Sequence, residues 1–263
     1  MAEEASISLR GDDNPYVTSA LKAVKIKLVR NTEDLEETKK YEGFFEPEFA
    51  HQHFGENETI FGFLQPTIQL LYSAYDLSLL INFTHQGSIT AREKDMQPDD
   101  VMAMLKEHLP FPLETQMDAF RKKVEDARSK PAQPHGQLLH SYSVEIDGVN
   151  ADYAVYKVEG GSSDGTSAEF LALRQRMESL AFWFIDAASY TDQDDDKWNY
   201  YVLYEKVKPT TTGTGDCCVY SIAGYASVYN YYSYPQHIRP RIAPPGNMHI
   251  NGGVRNGSRP QDV

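Results

Sequence analysis

Apolar residues along the chain switch between a period of two and a period near 3.6, and the switches mark its elements. Ala23 to Val29 (AVKIKLV) alternates apolar with basic positions and predicts a half-buried strand. Thr32 to Lys40 is dense in charge and predicts one or two helical turns. The stretch from Tyr41 to Gly55 is aromatic and acidic at once, and Pro47 blocks a regular helix there. Residues 60–85 alternate strongly around one proline, which predicts two or three strands joined by tight turns. At Pro98-Asp-Asp-Val the period lengthens: acidic residues open a helix, and Val101, Met104, Leu105 and Leu109 follow at helical spacing. A second amphipathic stretch covers Glu114 to Arg128, and the Pro-rich Lys130 to Gly136 connects it onward.

Alternation returns at Leu138–Ile146 and Ala151–Val158, a hairpin about Asp147-Gly148. Gly160 to Ser167 predicts a loop. From Ala168 to about Tyr190, residues Phe170, Leu173, Met177, Leu180, Ala181 and Phe184 predict five helical turns. Asp192 to Asp196 is an acidic turn. Trp198–Glu205 and Cys217–Tyr232 then predict a long hairpin around a Thr/Gly/Pro loop. Residues 243–263 carry no aromatic side chain and many Gly, Pro and Asn, and are expected to be disordered.

Composition narrows the class. With 41% hydrophobic and 12% aromatic residues, the 263-residue chain is not wholly disordered. It holds no apolar run near the ~20 residues of a membrane helix, and no membrane partner is expected. The N-terminus is acidic without an apolar core, so a secretory signal is not expected. Cys217 and Cys218 are neighbours that point to opposite faces of a strand and are not expected to pair, which suits a reducing compartment. The net charge of −13 argues against nucleic acid as a direct partner. It suits either a basic partner or plain solubility.

Local chemistry adds less. The glycine clusters match neither a phosphate-binding GxxxxGK[ST] nor a GxGxxG at a strand-to-helix junction, and read as loops. His51 and His53 sit among Glu46, Glu48, Glu56 and Glu58, but HxH without a third distant ligand does not specify a metal, and none is expected. The sequons at Asn57, Asn82 and Asn256 are expected to be chance matches. Three features suggest a surface for peptide: Glu56 and Glu58 after Gly55, the aspartates before Trp198, and Tyr229-Asn-Tyr-Tyr232 at a strand end. Carboxylates beside aromatic faces take Lys/Arg-rich segments through ion pairs and cation–π contact. A solvated turn next to ordinary strand tyrosines is the other reading of the same residues.

Longer strings carry a resemblance. FWFIDAASYTDQDDDKWNYYVLYEK (182–206) and GYASVYNYYSYPQHIRPR (224–241) resemble the catalytic subunits of type B histone acetyltransferases. KIKLVR (25–30), PEFAHQHFGENETIFGF (47–63) and LLHSYSV (138–144) support it, so that it covers roughly residues 23–242. The resemblance implies an α+β fold: a flexible 1–22, an N-terminal mixed α/β domain over 23–136, and a GNAT acetyltransferase core beginning at 137–242. It also implies acetyl transfer from acetyl-CoA to lysines in the N-terminal tail of newly made histone four. In that reaction the lysine amine attacks the thioester directly and a carboxylate acts as general base. The implied tail-binding residues are Glu56, Asn57, Glu58, Asp186, Trp198, Tyr229, Asn230 and Tyr231. A histone-chaperone subunit is the implied partner, and nucleus and cytoplasm are the implied locations.

The chain departs from the family in two places. Position 186 holds Asp where Glu is expected, one methylene shorter with the charge kept. After Arg239-Pro-Arg241 the family continues into a core strand and a Q-x-x-G-x-G/A loop, whose helix start binds acetyl-CoA. Here Ala243-Pro-Pro-Gly-Asn follows instead. The expectation is an incomplete GNAT core without cofactor-binding residues or the family's general base, and a truncated form of such an enzyme. Two alternatives accompany it: a non-catalytic histone-tail-binding module, or an unstable chain whose 217–232 strand forms an open sheet edge.

Overall fold

The computed structural model describes residues 14–36, 42–91, 96–129, 133–146, 148–160, 167–208, 218–243 and 248–249. In chain order its elements are β1 (Val17–Ser19), α1 (Ala20–Ala23), β2 (Val24–Val29), a 3-10 turn at Thr32–Leu35, α2 (His51–Phe54), β3 (Thr59–Phe61), β4 (Phe63–Leu64), β5 (Thr67–Ser73), β6 (Leu79–Thr84) and β7 (Gly87–Ser88). They continue with α3 (Val101–Glu107), α4 (Met117–Ser129), β8 (Gln137–Ile146), β9 (Val149–Glu159), α5 (Ala168–Ala181), β10 (Trp198–Val207), β11 (Val219–Ser233), β12 (His237–Ile242) and β13 (Met248–His249). Mixed helix and sheet make the fold α+β. Among the described residues no helix is long and apolar enough to cross a membrane.

The alternating AVKIKLV segment becomes β2, which runs parallel to β5; β6 returns antiparallel from β5, giving the order β2-β5-β6. Alternation in the second half builds a larger antiparallel sheet, β12-β11-β10-β9-β8, with β13 also on β11. Asp100 opens α3 as the acidic start predicts, its side chain accepting from the Ala103 N–H at 3.0 Å. The two sheets share one core. Ile26, Ile68, Leu70 and Tyr72 of the first sheet join Phe170, Met177, Tyr200 and Tyr225 of the second half in a single buried cluster. Two backbone-directed bonds link the β5–β6 turn to the second half: Ile222 N–H to the Ala74 carbonyl at 2.7 Å, and the Arg176 guanidinium to the Asp76 carbonyl at 2.6 Å. A smaller cluster of Val29, Leu71, Leu80, Phe120 and Val124 fills the other face of the first sheet under α4.

Three elements differ from the sequence expectation. Helix α5 stops at Ala181 rather than Tyr190. Apolar spacing continues through Phe184, but the Trp183 carbonyl is taken by the Glu48 and Phe49 N–H groups at 2.8 and 3.0 Å, and Ala187 has φ 56°. Packing against the 48–49 segment thus ends the helix where no Gly or Pro marks it. From Gly224 to Ser233, β11 is not the open edge expected of the 217–232 strand: β12 pairs with Val228–Ser233, and Met248–His249 pair with Gly224–Tyr225. The Ala243 N–H joins the Ser227 carbonyl at 2.9 Å between them. Residues 243–263, expected to be disordered, therefore contribute a short strand; 244–247 and 250–263 lie outside the described residues. Cys218 is a free thiol. Cys217, the other half of the non-pairing expectation, lies outside the described residues, as do the loop at 161–166 and Asp147 of the hairpin turn.

Candidate peptide-binding site

The eight residues implied for tail binding fall into two groups. Glu56, Asn57 and Glu58 follow α2 in a tight turn closed by the Glu58 N–H on the Gly55 carbonyl at 2.8 Å. Gly55 and Glu58 both have positive φ, 73° and 49°. Glycine adopts this conformation freely, whereas for glutamate it is uncommon and must be held by its surroundings. The holding contacts are visible. The Glu58 carbonyl accepts from the Ala20 N–H at 2.7 Å, and its carboxylate Oε1 accepts from the Ala50 and His51 N–H groups at 2.6 and 3.0 Å. One oxygen of Glu58 thus caps the N-terminus of α2, where the exposed amides favour a negative charge. Glu56 and Asn57 stand exposed on the turn.

Asp186 belongs to this same group, although 128 positions separate it from Glu58 in the sequence. It follows α5, beside the left-handed Ala187, and is 75% exposed. His51 bridges the two acids, with Nδ1 3.7 Å from Glu58 Oε1 and Nε2 3.4 Å from Asp186 Oδ1. From the sequence, His51 reads only as a candidate metal ligand. Among the described residues no cluster of His, Cys, Asp and Glu is arranged to hold a metal ion.

The second group lies across β10 and β11. Trp198 and Tyr229 are direct partners in the ladder, with ring centroids 4.9 Å apart at 70°; Tyr231, two residues on, stacks edgewise on Tyr229 at 4.6 Å. Strand alternation puts these three rings on one face and the Asn230 side chain on the other. Asn230 joins the group through its backbone, its N–H donating to the Lys197 carbonyl at 2.9 Å. The rings already carry cations of the chain: Lys197 Nζ lies 6.0 Å from the Tyr229 centroid, and the Arg241 guanidinium 5.4 Å from that of Tyr231. Among the described residues no hydrogen bond, ion pair or ring contact joins this group to Glu58, His51 and Asp186.

The acidic turn sits between them in sequence. Its carboxylates divide their work: Asp192 accepts from the Asp194 N–H, and Asp195 from the Lys197 N–H, each at 3.0 Å. The Tyr229 hydroxyl donates to Asp195 Oδ2 at 2.9 Å. The Lys197 N–H, then Tyr229, hold the Asp195 carboxyl below the usual range, while Asp195 raises the Tyr229 hydroxyl. Asp194 and Asp196 are exposed.

Beneath the surface lie buried polar groups that the apolar pattern hides. Arg174 and Glu178 occupy the inward side of α5, one turn apart. Burial pushes the Glu178 carboxyl up, and contact with Thr191 and Arg174 pulls it partly back. His53 stacks on Trp183 at 4.1 Å and 19° and meets His108 edge-on at 5.3 Å; neither of its ring nitrogens has a hydrogen-bond partner among the described residues. Burial, with His108 adding to it, lowers His53 to about 3. A polar residue at a core position of a helical pattern is the signal by which Arg174 and Glu178 could be picked out beforehand.

Comparison with known proteins adds family evidence. The family model for the Histone acetyl transferase HAT1 N-terminus matches residues 16–186. The histone acetyltransferase type B catalytic subunit of Homo sapiens is 32% identical over 230 residues, covering 87% of this chain and 51% of that protein. That of Rattus norvegicus gives the same figures. The Candida albicans subunit is 29% identical over 238 residues, 89% of this chain and 51% of that protein. The chain thus spans about half the length of these curated relatives.

Proposed function

The chain belongs to the family of type B histone acetyltransferase catalytic subunits, and on that premise we propose that its surface receives the lysine-rich N-terminal tail of newly made histone four. One observation carries the reading. Residues far apart in sequence converge into an acidic wall, Glu58–His51–Asp186, and an aromatic face, Trp198–Tyr229–Tyr231, which are the two surface types a basic peptide needs. The aromatic face already holds Lys197 and Arg241 at cation–π distance, so it suits a lysine or arginine from another chain. Glu56, with Asp194 and Asp196, adds exposed negative charge that speeds encounter with a cationic segment.

In this reading the chain supplies the acceptor side of acetyl transfer, acetyl-CoA is the co-substrate, and residues 137–242 are the first half of a GNAT core. A histone-chaperone subunit is the further partner, and nucleus and cytoplasm are the places of action. The non-catalytic tail-binding module shares this surface and differs only in the fate of acetyl-CoA, so a calorimetric titration of acetyl-CoA separates the two. Micromolar binding overturns the expectation of an incomplete core and favours the enzyme; no heat fits both the incomplete core and the tail-binding module.

The surface itself is tested by titrating a fluorescent lysine-rich tail peptide into the chain. The Glu58→Lys plus Trp198→Ala variant is expected to lose at least tenfold in affinity, about 1.4 kcal/mol. Affinity equal to that of the parent chain overturns the assignment. Because Glu58 also caps α2, circular dichroism of the variant must first match the parent, and Asp186→Lys serves as the second probe.

A further inference from the structure

Glu178 is a carboxylate in the core, 5% exposed on the inward side of α5. Burying a charge is costly, and an apolar side chain would pack in the same place at lower cost. Stability alone does not account for it. Oε1 accepts from the Thr191 hydroxyl at 2.5 Å and from the Tyr200 hydroxyl at 3.3 Å, and Oε2 lies 3.4 Å from the Thr191 N–H. The Thr191 and Tyr200 hydroxyls are themselves 2.5 Å apart. The Arg174 guanidinium covers the Tyr200 ring at 5.4 Å. One buried group therefore ties together helix α5, strand β10 and the segment between them.

That segment, 182–197, carries Asp186 of the acidic wall and leads directly into Trp198 of the aromatic face. Asp186 lies five residues before Thr191, Asp195 four after it, and Trp198 follows as the first residue of β10. Its other attachments lie elsewhere: Trp183 on the Glu48 and Phe49 amides, the Tyr190 hydroxyl on the His108 carbonyl at 2.7 Å, and Asp195 on the Tyr229 hydroxyl. The Trp183, Phe184 and Ile185 N–H groups merely continue the last turn of α5 on the Leu180 and Ala181 carbonyls; beyond that turn, among the described residues, the hydrogen bonds of Thr191 are the ones that lead back to the helix. We propose that Glu178 is a positioning residue of the tail site: through Thr191 it sets the spacing between the acidic wall at Asp186 and the aromatic face at Trp198. It touches no peptide. The proposal rests on the tail-binding reading for its consequence, and on the contacts above for its mechanism.

Three variants test it. Glu178→Met keeps the volume and removes the acceptors, Thr191→Val removes the hydroxyl, and Glu178→Gln keeps an oxygen for the Thr191 and Tyr200 hydroxyls. Amide hydrogen exchange, followed without peptide, is expected to quicken about tenfold across residues 186–197 in Glu178→Met and Thr191→Val, as for a lost buried hydrogen bond. Exchange within α5 should change less than twofold. Peptide affinity should fall about tenfold in the same two variants and return to within twofold of the parent in Glu178→Gln. Unchanged exchange in 186–197 overturns the proposal. So does a uniform rise across the whole chain, which marks a merely structural role, or a Gln variant as impaired as Met. A parent chain that binds no peptide sinks the tail reading, and the exchange pattern then decides separately whether Glu178 sets the segment.

Discussion

Replacing His53 with phenylalanine should leave the fold intact and remove one acid-sensitive contribution to its stability. His53 is 4% exposed, stacked on Trp183 and bordered by His108 and Phe182. Among the described residues both ring nitrogens are unpartnered, so phenylalanine keeps the stacking and forfeits none of the hydrogen bonds seen there. The native imidazole is lowered to about 3 from an ordinary 6.5. Between those values the unfolded chain binds a proton that the folded chain refuses, so stability falls as the pH drops below about 6.5. From pH 7.5 to 5.5 this one group costs about 1.4 kcal/mol, from the linkage relation and the two pKa values. Carboxylates elsewhere titrate identically in parent and variant and cancel in the difference. Urea unfolding at pH 7.5, 6.5 and 5.5 reads it directly: the gap between Phe and His should widen by about 1.4 kcal/mol, roughly half a molar or more in midpoint. Lower pH is best avoided, because a chain at −13 near neutrality approaches zero net charge on acidification and associates. Parallel curves, with a gap constant within about 0.3 kcal/mol, would refute the argument that His53 stays neutral in the folded core.

Two other substitutions probe packing. Phe120→Ala empties the centre of the smaller core cluster, where Phe120 is fully buried with Val29, Leu71, Leu80 and Val124. It should cost about 3–5 kcal/mol in chemical denaturation, and a loss below about 1 kcal/mol would show that α4 does not pack as described. Gly160→Ala places a methyl 2.3 Å from the Trp198 carbonyl oxygen, which already accepts the Gly160 N–H. The β9–β10 ends must then part, at about 1–3 kcal/mol, with a shifted Trp198 emission; a variant unchanged in both melting and emission would contradict the close approach.

Much of the architecture was legible because period is a local property. The β2 alternation, the acidic opening of α3, the amphipathic α4 and the two long hairpins all stand where their patterns put them, within a few residues. The end of α5 was not legible. Nothing between Phe182 and Tyr190 breaks a helix; the termination comes from Glu48 and Phe49, amides some 135 positions away that capture the Trp183 carbonyl. The strand at Met248–His249 escaped for a related reason. A pairing edge on β11 supplies its hydrogen bonds, so two residues in a Gly/Pro/Asn-rich stretch need no strand propensity of their own.

The site divides along the same line. The sequence alone determined which residue types are present and in what local order: acids after Gly55, aspartates before Trp198, tyrosines at a strand end. Its long aromatic and acidic strings also carried the family. Only the tertiary structure decided which of them meet. His51 stands between Glu58 and Asp186 because α2 and the end of α5 pack together, and that packing is a property of the whole core. Asn230 faces away from Tyr229 and Tyr231 because side chains alternate in a strand once its register is fixed. Glu178 stands out in the helical pattern as a polar residue at a core position, but the pattern does not name what it meets. Its partners, Thr191 and Tyr200, arrive 13 and 22 residues later, and whether a carboxylate is solvated or buried depends on where those elements fold back. Hydrophobic period is set by neighbours along the chain, whereas burial, charge pairing and the termination of a helix are set by neighbours in space.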